Sequence, residues 1–373
     1  MHVEAHAGEA VPPGIVGGAL HAFFIYDVAD TIDLAALPSV GVDGVTRAPL
    51  HLRREASPGS IQFPTPPLVA RLPPIEAAGT AAGVRVKMYD YGVISIRLSV
   101  TFRGTWSDYA ALGRALRTDA VASSAARGAL ERLLVGLSPA LDEPHAVLLE
   151  DYFVYEVQAF ADPMSATDLL ADCGLALAGL VAGEERRLAR VEVEELLRVN
   201  FSYYDDDLAV VQWDSAFVYD RSEGAAATSD ILEFANTQLV ELRAYDRRLD
   251  DELDAIYRTE SRRTFGPFAR KGAYAAAERL RYLIVDVLEL TDRANNALKI
   301  TGDAYYARLY RGAAQRLGLR DWQKQIDAKI ASVNDMYRFF TDQAQNARAD
   351  FTELIIILLI AIEVVIGLLT LRH

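Results

Sequence analysis

The sequence has one cysteine, Cys173, among 373 residues, and it lacks the short motifs of the common catalytic classes. A single thiol excludes an internal disulfide framework and a site built from several thiolates, and it fits a reducing compartment. There is no G-x-x-x-x-G-K-S/T phosphate loop, no H-E-x-x-H zinc motif and no G-x-S-x-G nucleophile motif, and the six histidines do not cluster. The sequence thus indicates no catalytic residue and no cofactor, and it favours a protein without enzymatic activity.

Basic residues are in the minority, because 38 Lys and Arg stand against 52 Asp and Glu and give a formal net charge of −14 at pH 7. Such a charge disfavours nucleic-acid binding by the whole surface, so any such contact would have to be local. Basic residues do gather between two predicted helices, at Arg258, Arg262, Arg263, Arg270 and Lys271. We predict that this basic tip contacts anionic lipid headgroups. A solvated loop with local ion pairs is the alternative.

Long apolar runs are rare, and the one that stands out lies near the end of the sequence. From Leu354 to Leu371 every residue except Glu363 and Thr370 is apolar or Gly. About 18 residues at 1.5 Å each just cross a hydrocarbon core of about 30 Å. The run predicts a single-pass membrane helix over 351–373. Since no basic signal peptide precedes it, we expect tail insertion with the bulk of the chain in the cytoplasm.

Glu363 lies near the middle of this predicted membrane helix. A carboxylate at that depth costs about 2.5 kcal/mol or more unless it is protonated, paired or turned towards other protein. We predict that copies of the tail bury Glu363 together and make the protein a homo-oligomer, or that a second membrane protein supplies the partner helix. A protonated glutamate tolerated by a strongly apolar helix is the alternative.

The first 221 residues predict an α+β head domain. The predicted elements are a hairpin over Val84 to Phe102, a helix over Ser107 to Leu116 with Ser107 as its N-cap, a strand over Ala146 to Phe160, helices over Ser165 to Leu180 and Glu184 to Val199, and strands within Phe201 to Tyr219. The repeated order of strand and helix favours an α/β sandwich, and two ferredoxin-like halves are one arrangement of it.

Helices dominate the rest of the chain after a predicted linker at 222–229. Apolar residues recur at steps of four and three along two segments, which predicts a coiled helical hairpin and stalk over 230–350. Gly266 and Pro267 break the hairpin between its two helices. The heptad step of the last helix continues without interruption into the membrane segment at 351–373.

The run Asp205, Asp206 and Asp207 is the weak candidate for a metal site. Three adjacent carboxylates repel one another, and a divalent cation with oxygen ligands would relieve that repulsion. Adjacent residues of an extended chain point to opposite faces, however, so the three converge on one ion only in a tight turn. A solvated turn between strands is the favoured interpretation, and His145 is likewise interpreted as a loop residue.

The tail resembles a known family. Its segments Glu353 to Ile357 and Ile362 to Val364 resemble the E-x-I-I-I start and I-E-V centre of the C-terminal signature of the required-for-meiotic-nuclear-division and YagE family, and Tyr91 to Ile96 is similar to that family's aromatic-Gly-Val strand. The stretch of N-L-N-x-R-L-D type found in mitochondrial members is reduced here to Asn334 to Met336, so the chain would be a divergent bacterial member.

This resemblance implies a membrane-anchored, self-associating protein without an established catalytic site. Because the mitochondrial members support organellar translation, it also implies contact with a ribosome or RNA. Residue pattern and resemblance together predict a tail-anchored scaffold or tether whose cytoplasmic head binds a partner that the sequence does not identify. A ligand-sensing or enzymatic head with an unrecognised site is the first alternative, and a subunit of an oligomeric channel or transporter is the second.

Overall fold

The computed structural model describes residues 9–37, 48–49, 65–221, 224–261, 285, 304–332, 335 and 359–360. The chain divides into two compact units. The first comprises Met1–Ala244 and Leu288–Trp322, and the second comprises Tyr245–Val287 and Gln323–His373. All of the sheet belongs to the first unit, and the candidate site described below lies entirely within it.

Nine strands in the described residues form one mixed sheet in the order β2-β3-β4-β5-β1-β6-β9-β8-β7. Their bounds are β1 Ile15–Ile32, β2 Ala48–Pro49, β3 Leu68–Ala77, β4 Thr80–Met88, β5 Val93–Gly104, β6 Leu141–Phe160, β7 Asn200–Phe201, β8 Asp207–Val211 and β9 Ser215–Asp220. Neighbouring strands are antiparallel except β6 and β9, which are parallel. The sheet is therefore continuous from one edge strand to the other.

The central strand β1 is buried on both faces. Leu20, Ala22 and Phe24 project to one face, called the first face here, and Phe23 and Ile25 project to the opposite, second face. Since a strand covered on both sides gains from apolar residues at every position, β1 reads as a nearly continuous apolar run instead of an alternating pattern. The strand was not predicted from the sequence.

Short helices cover the first face. They are α1 Trp106–Arg117, α2 Ala120–Leu137, a 3₁₀ helix Ser138–Ala140, α3 Ala166–Asp172, α4 Gly174–Ala182 and α5 Arg190–Leu197. The buried residues of α1 to α4 form one core with the first-face residues of β1, β4, β5 and β6. Thr105 is the N-cap of α1, because its side chain accepts the Asp108 N–H. The predicted cap at Ser107 was therefore two residues too late.

Two helices lie on the second face: α6 Gly224–Ser261, with 38 residues, and α7 Ala304–Arg316, with 13. All residues of α6 from 227 to 242 are buried, polar ones included. The ring of Phe234 on α6 lies 5.6 Å from that of Tyr310 on α7. The division between the two compact units falls within α6, after Ala244, so one continuous helix contributes residues to both. Residues 319–332 are helical as well.

The α+β class and the predicted hairpin, found as β4 and β5, are confirmed. The prediction of two ferredoxin-like halves is wrong, because all described strands share one sheet. The predicted linker is wrong from Gly224 onwards, since its alanines begin α6. The single helix expected over Ser165 to Leu180 is two helices that meet at Cys173, and α2 was not predicted.

Among the described residues, no helix combines the length and apolar character that a membrane crossing requires. The predicted membrane helix at 351–373, with Glu363, lies outside that part of the chain except for Leu359 and Ile360. These two residues are helical, and their side chains are exposed. The second helix of the predicted hairpin also lies largely outside the described residues.

Candidate functional site

The second face of the sheet carries a continuous group of polar side chains. Alternation along the strands places Arg85 and Lys87 of β4, Ser95, Arg97 and Ser99 of β5, His21 of β1 and Glu156 of β6 on this face. The register sets His21 opposite Ser99 and Arg85 opposite Arg97. Buried polar side chains need hydrogen-bonding or ionic partners within the protein, and α6 supplies several of them.

Lys87 is the centre of a buried ion cluster between β4 and α6. Its ammonium is 1% exposed and lies 2.7 Å from Asp230 Oδ1 and 2.6 Å from Glu233 Oε2. Arg85 donates to the same Asp230 oxygen at 2.8 Å. Asp230 and Glu233 are three residues apart, so both carboxylates project from one side of α6. The cluster fixes the beginning of α6 on the sheet.

The protonation states of this ion cluster follow from its mixture of charges. Burial by itself raises the pKa of Asp230, but the charges of Lys87 and Arg85 outweigh burial and hold that pKa below its ordinary value. Burial lowers the pKa of Arg85, and the opposing charges of Asp230 and Glu233 raise it above the ordinary value overall. Asp230 and Arg85 are therefore both ionised at neutral pH.

A second polar group links three neighbouring strands. His21 Nε2 lies 3.0 Å from Glu156 Oε2, and His21 Nδ1 lies 2.9 Å from Ser99 Oγ. Gln158 donates to the other Glu156 oxygen at 2.8 Å. His21 and Glu156 are buried, whereas Ser99 is half-buried. The three residues thus form a hydrogen-bonded chain that leads from the interior to a hydroxyl group nearer the surface.

The pKa shifts determine the direction of the hydrogen bonds in this chain. Burial lowers the pKa of His21 below its ordinary value despite the hydrogen bond with Glu156, so the imidazole is neutral at pH 7. Burial favours a neutral Glu156, but the hydrogen bond from His21 lowers the pKa of Glu156 overall, so it is ionised. A carboxylate only accepts, so Nε2 carries the proton and Nδ1 accepts the Ser99 O–H. His21 is thus placed to act as a base towards Ser99.

The geometry differs from that of the common serine triads, in which the serine faces Nε2 and the acid faces Nδ1. Here the two ring nitrogens have exchanged partners. Arg97 lies two residues before Ser99 on the same face, and its guanidinium lies 5.9 Å from the centre of the Phe23 ring. Burial and the charge of Arg85 lower the pKa of Arg97. A cation therefore lies near the Ser99 hydroxyl, where it can attract an anionic group.

The aspartates predicted from the sequence do not converge on a common point. Asp205 and Asp206 are exposed in the turn between β7 and β8, while Asp207 is buried and its carboxylate accepts the Tyr203 N–H at 2.6 Å. Among the described residues, no group of three His, Cys, Asp or Glu side chains is placed to hold a metal ion. Asp205 and Asp206 thus belong to a turn between strands, whereas Asp207 is the first residue of β8.

The prediction that His145 lies in a loop is wrong, because His145 belongs to β6. Its Nε2 lies 3.4 Å from Asp27 and 3.9 Å from Asp30. Arg258 lies in α6, where its side chain is outside the described part of the structure. Arg262, Arg263, Arg270 and Lys271 are outside the described residues altogether, so the predicted lipid contact of the basic tip stays a prediction.

Sequence reasoning missed every residue of the polar group on the second face. Arg97 and Ser99 alternate with Ile96 and Leu98, which is also the pattern of a strand with one face in water. His21 stands alone in an apolar run, which was the stronger signal, because a single polar residue in a strand buried on both faces requires a buried partner. The partner itself, Glu156, is 135 residues away and could not be identified from spacing.

Residues 17–226 match a protein family described as "Uncharacterized protein MJ0711, N-terminal domain", which covers more than half of the chain. The chain belongs to this family. The matched segment contains His21, Ser99 and Glu156 together with the basic residues of β4 and β5, and it ends two residues after Gly224, where α6 begins.

A curated relative, "Uncharacterized protein MJ0711" of Methanocaldococcus jannaschii, is 24% identical over 220 residues. The alignment covers 59% of this chain and 66% of the relative, which is just under two thirds of the relative's length. No solved structure matches the chain. The resemblance of the tail to the required-for-meiotic-nuclear-division and YagE family is a separate observation and stays a prediction.

We expect Lys87→Met to lower the free energy of unfolding by about 3–5 kcal/mol, because it leaves Asp230 and Glu233 buried with too little positive charge. Urea unfolding followed by tryptophan fluorescence measures the change. Arg190→Met is the matched control, since Arg190 forms an exposed pair with Glu194 and its loss should cost about 0.5 kcal/mol or less. Equal effects of the two substitutions would contradict the central role of Lys87.

We expect His21→Gln to flatten the acid side of the stability curve. The folded-state pKa of His21 lies below the unfolded value of 6.5, so protons bind the unfolded chain preferentially. The stability contributed by neutral His21 is therefore complete above pH 6.5 and is lost as the pH falls from there towards the folded-state pKa, at up to about 1.4 kcal/mol per pH unit.

The measurement is the free energy of unfolding of the parent protein, His21→Gln and the control His2→Gln between pH 7.5 and pH 5. The control should keep the slope of the parent protein in this interval. If His21→Gln has the same slope as the parent, His21 is not buried in its neutral form.

Proposed function

We propose that the protein is a membrane-anchored scaffold with a binding head, which self-associates through its helical stalk and its tail. The observation that carries this proposal is α6. Its first half is buried in the head unit and joined to the sheet by Lys87, Asp230 and Glu233, and the same helix continues into the second unit.

The anchor in this proposal is the apolar run from Leu354 to Leu371. Exposed, helical Leu359 and Ile360 are compatible with contact to lipid. Burial of Glu363 between copies supplies the self-association, and the basic tip at Arg258 to Lys271 supplies contact with anionic headgroups. A single pass in a bacterial inner membrane, with the head in the cytoplasm, completes the proposal. The resemblance to the required-for-meiotic-nuclear-division and YagE family supports the same arrangement.

We expect the full-length protein to stay in the membrane pellet after alkaline extraction and a variant ending at Asp350 to be released. In detergent, light scattering should give a defined oligomer that Glu363→Leu dissociates. Glu353→Leu is the matched control, because it makes the same chemical change at the edge of the apolar run. Release of the full-length protein from the membrane, or a monomer in every case, would contradict the proposal.

An acyl-transferring or hydrolytic enzyme with Ser99 as nucleophile is the second candidate function. It is favoured by one observation, the hydrogen-bonded chain of Ser99, His21 and ionised Glu156. In such a reaction Ser99 Oγ attacks an acyl carbon while its proton moves to His21 Nδ1, and the carbonyl double bond opens to a tetrahedral oxyanion. Glu156 stabilises the imidazolium that forms. The oxyanion then collapses and breaks the bond to the leaving group, which takes the proton from His21 Nδ1. Because the Ser99 hydroxyl is half-buried, the acyl group of the substrate would have to reach the surface of the sheet.

A fluorophosphonate probe tests this second candidate. Attack by Ser99 forms a bond to phosphorus and expels fluoride, so we expect covalent labelling of one site that Ser99→Ala and His21→Gln abolish. Ser95→Ala is the control. Ser95 lies on the same face of the same strand as Ser99, but it is not part of the hydrogen-bonded chain of Ser99, His21 and Glu156. Unlabelled parent protein, or labelling that survives Ser99→Ala, excludes a reactive Ser99 and leaves the scaffold proposal unaffected.

A further inference from the structure

Three arginines lie side by side across β3, β4 and β5. The antiparallel register pairs Arg71 with Arg85 and Arg85 with Arg97. Residues paired in this way project from the same face with Cβ atoms about 5 Å apart, and like charges in such positions repel one another. We call Arg71, Arg85 and Arg97 the arginine row. It concentrates positive charge in a protein whose net charge is −14.

The protein neutralises only part of the arginine row. Arg85 is bonded to Asp230, whereas Arg97 has no hydrogen bond or ion pair with the described residues. The Nε atoms of Arg85 and Arg97 are both buried without an acceptor. A buried N–H group that lost its water and gained no partner is costly, so these two atoms mark a place where an acceptor is missing. Arg71 is exposed at the outer end of the row.

Open sheet surface borders the arginine row. Gly83 pairs with Ser99 in the register next to that of Arg85 and Arg97, and it is exposed. A Cβ atom at Gly83 would have the Ser99 carbonyl oxygen at 3.9 Å as its neighbour, and no other atom of the described residues would lie within 4 Å. A glycine inside a strand often marks a point where a ligand comes close to the backbone.

We propose that the arginine row binds a phosphate group, carried by a soluble compound or by a lipid headgroup, which lies over Gly83. Guanidinium forks match phosphate oxygens in geometry and charge. The ligand has to bring more than one negative charge, because Asp230 already engages Arg85 and a monoanion adds little to a half-neutralised row. This inference names the ligand class of the head, so it rests on the binding role given to the head above.

Calorimetric titration of the full-length protein in detergent with inorganic pyrophosphate tests the proposal. We expect binding that Arg97→Gln and Arg71→Gln each weaken by about 10-fold or more, because each variant removes a charged hydrogen bond to the ligand. Arg132→Gln is the matched control. Arg132 is exposed on α2, which covers the first face, and its loss should leave the affinity within about 2-fold.

Gly83→Val keeps every arginine and fills the space above the sheet. Since its Cβ meets only an ordinary contact, we expect an unchanged melting temperature and a loss of pyrophosphate binding of about 10-fold or more. This variant separates a binding site from a purely structural arrangement of charges. Pyrophosphate binding that survives Gly83→Val and Arg97→Gln would overturn the proposal.

A second titration distinguishes the two sources of phosphate. Soluble dihexanoyl phosphatidic acid, whose phosphomonoester headgroup can carry two negative charges, and dihexanoyl phosphatidylcholine replace pyrophosphate in the same detergent. Binding of the anionic lipid alone, sensitive to Arg97→Gln, identifies a headgroup, and binding of pyrophosphate alone identifies a soluble compound. Binding of neither probe overturns the proposal. Recovery of the protein in the membrane pellet is measured independently, so loss of the phosphate site and loss of the anchor are distinguishable.

Discussion

Burying the ammonium of Lys87 between two carboxylates constrains the whole second face of the sheet. Moving such ions out of water costs several kcal/mol each, and only close contacts between opposite charges offset that cost. α6 therefore has to lie where Asp230 and Glu233 reach β4, and its other contacts follow from that position. Towards its C-terminal half, Thr237 bonds to Tyr91 at 2.8 Å and Arg243 pairs with Glu150 of β6. An apolar helix could slide along an apolar sheet, but this one has a fixed register.

The residue pattern within a short segment was sufficient to predict those strands and helices that such a pattern alone specifies. The hairpin of β4 and β5 was predicted because β-branched residues flank a turn at Asp90. The helix at Trp106–Arg117 was predicted because polar capping residues precede an apolar stripe. The strand β1 was missed because burial on both faces removes the alternation that reveals a strand. The linker was misplaced because small residues favour a helix as readily as a flexible connection.

The candidate site was not predictable from spacing, because its members come from distant parts of the chain. Glu233 lies 146 residues from Lys87, and nothing in either local sequence indicates the other. The aspartate run attracted attention because its members are adjacent, yet adjacency in an extended segment separates side chains, and only Asp207 is buried. A lone histidine in an apolar strand and arginines in register across three strands are better indicators of a functional site. The arginines can be recognised only when the pairing of the strands is known.

The position of α6 also bears on where the head can be divided. The family match ends at residue 226, before Asp230, Glu233 and nearly all of α6. A fragment limited to the matched residues would leave the buried Lys87 without either carboxylate, and an unpaired buried charge strongly destabilises a fold. The smallest autonomous folding unit is therefore larger than the segment that sequence similarity outlines, and the compact unit that holds the sheet also includes Leu288–Trp322.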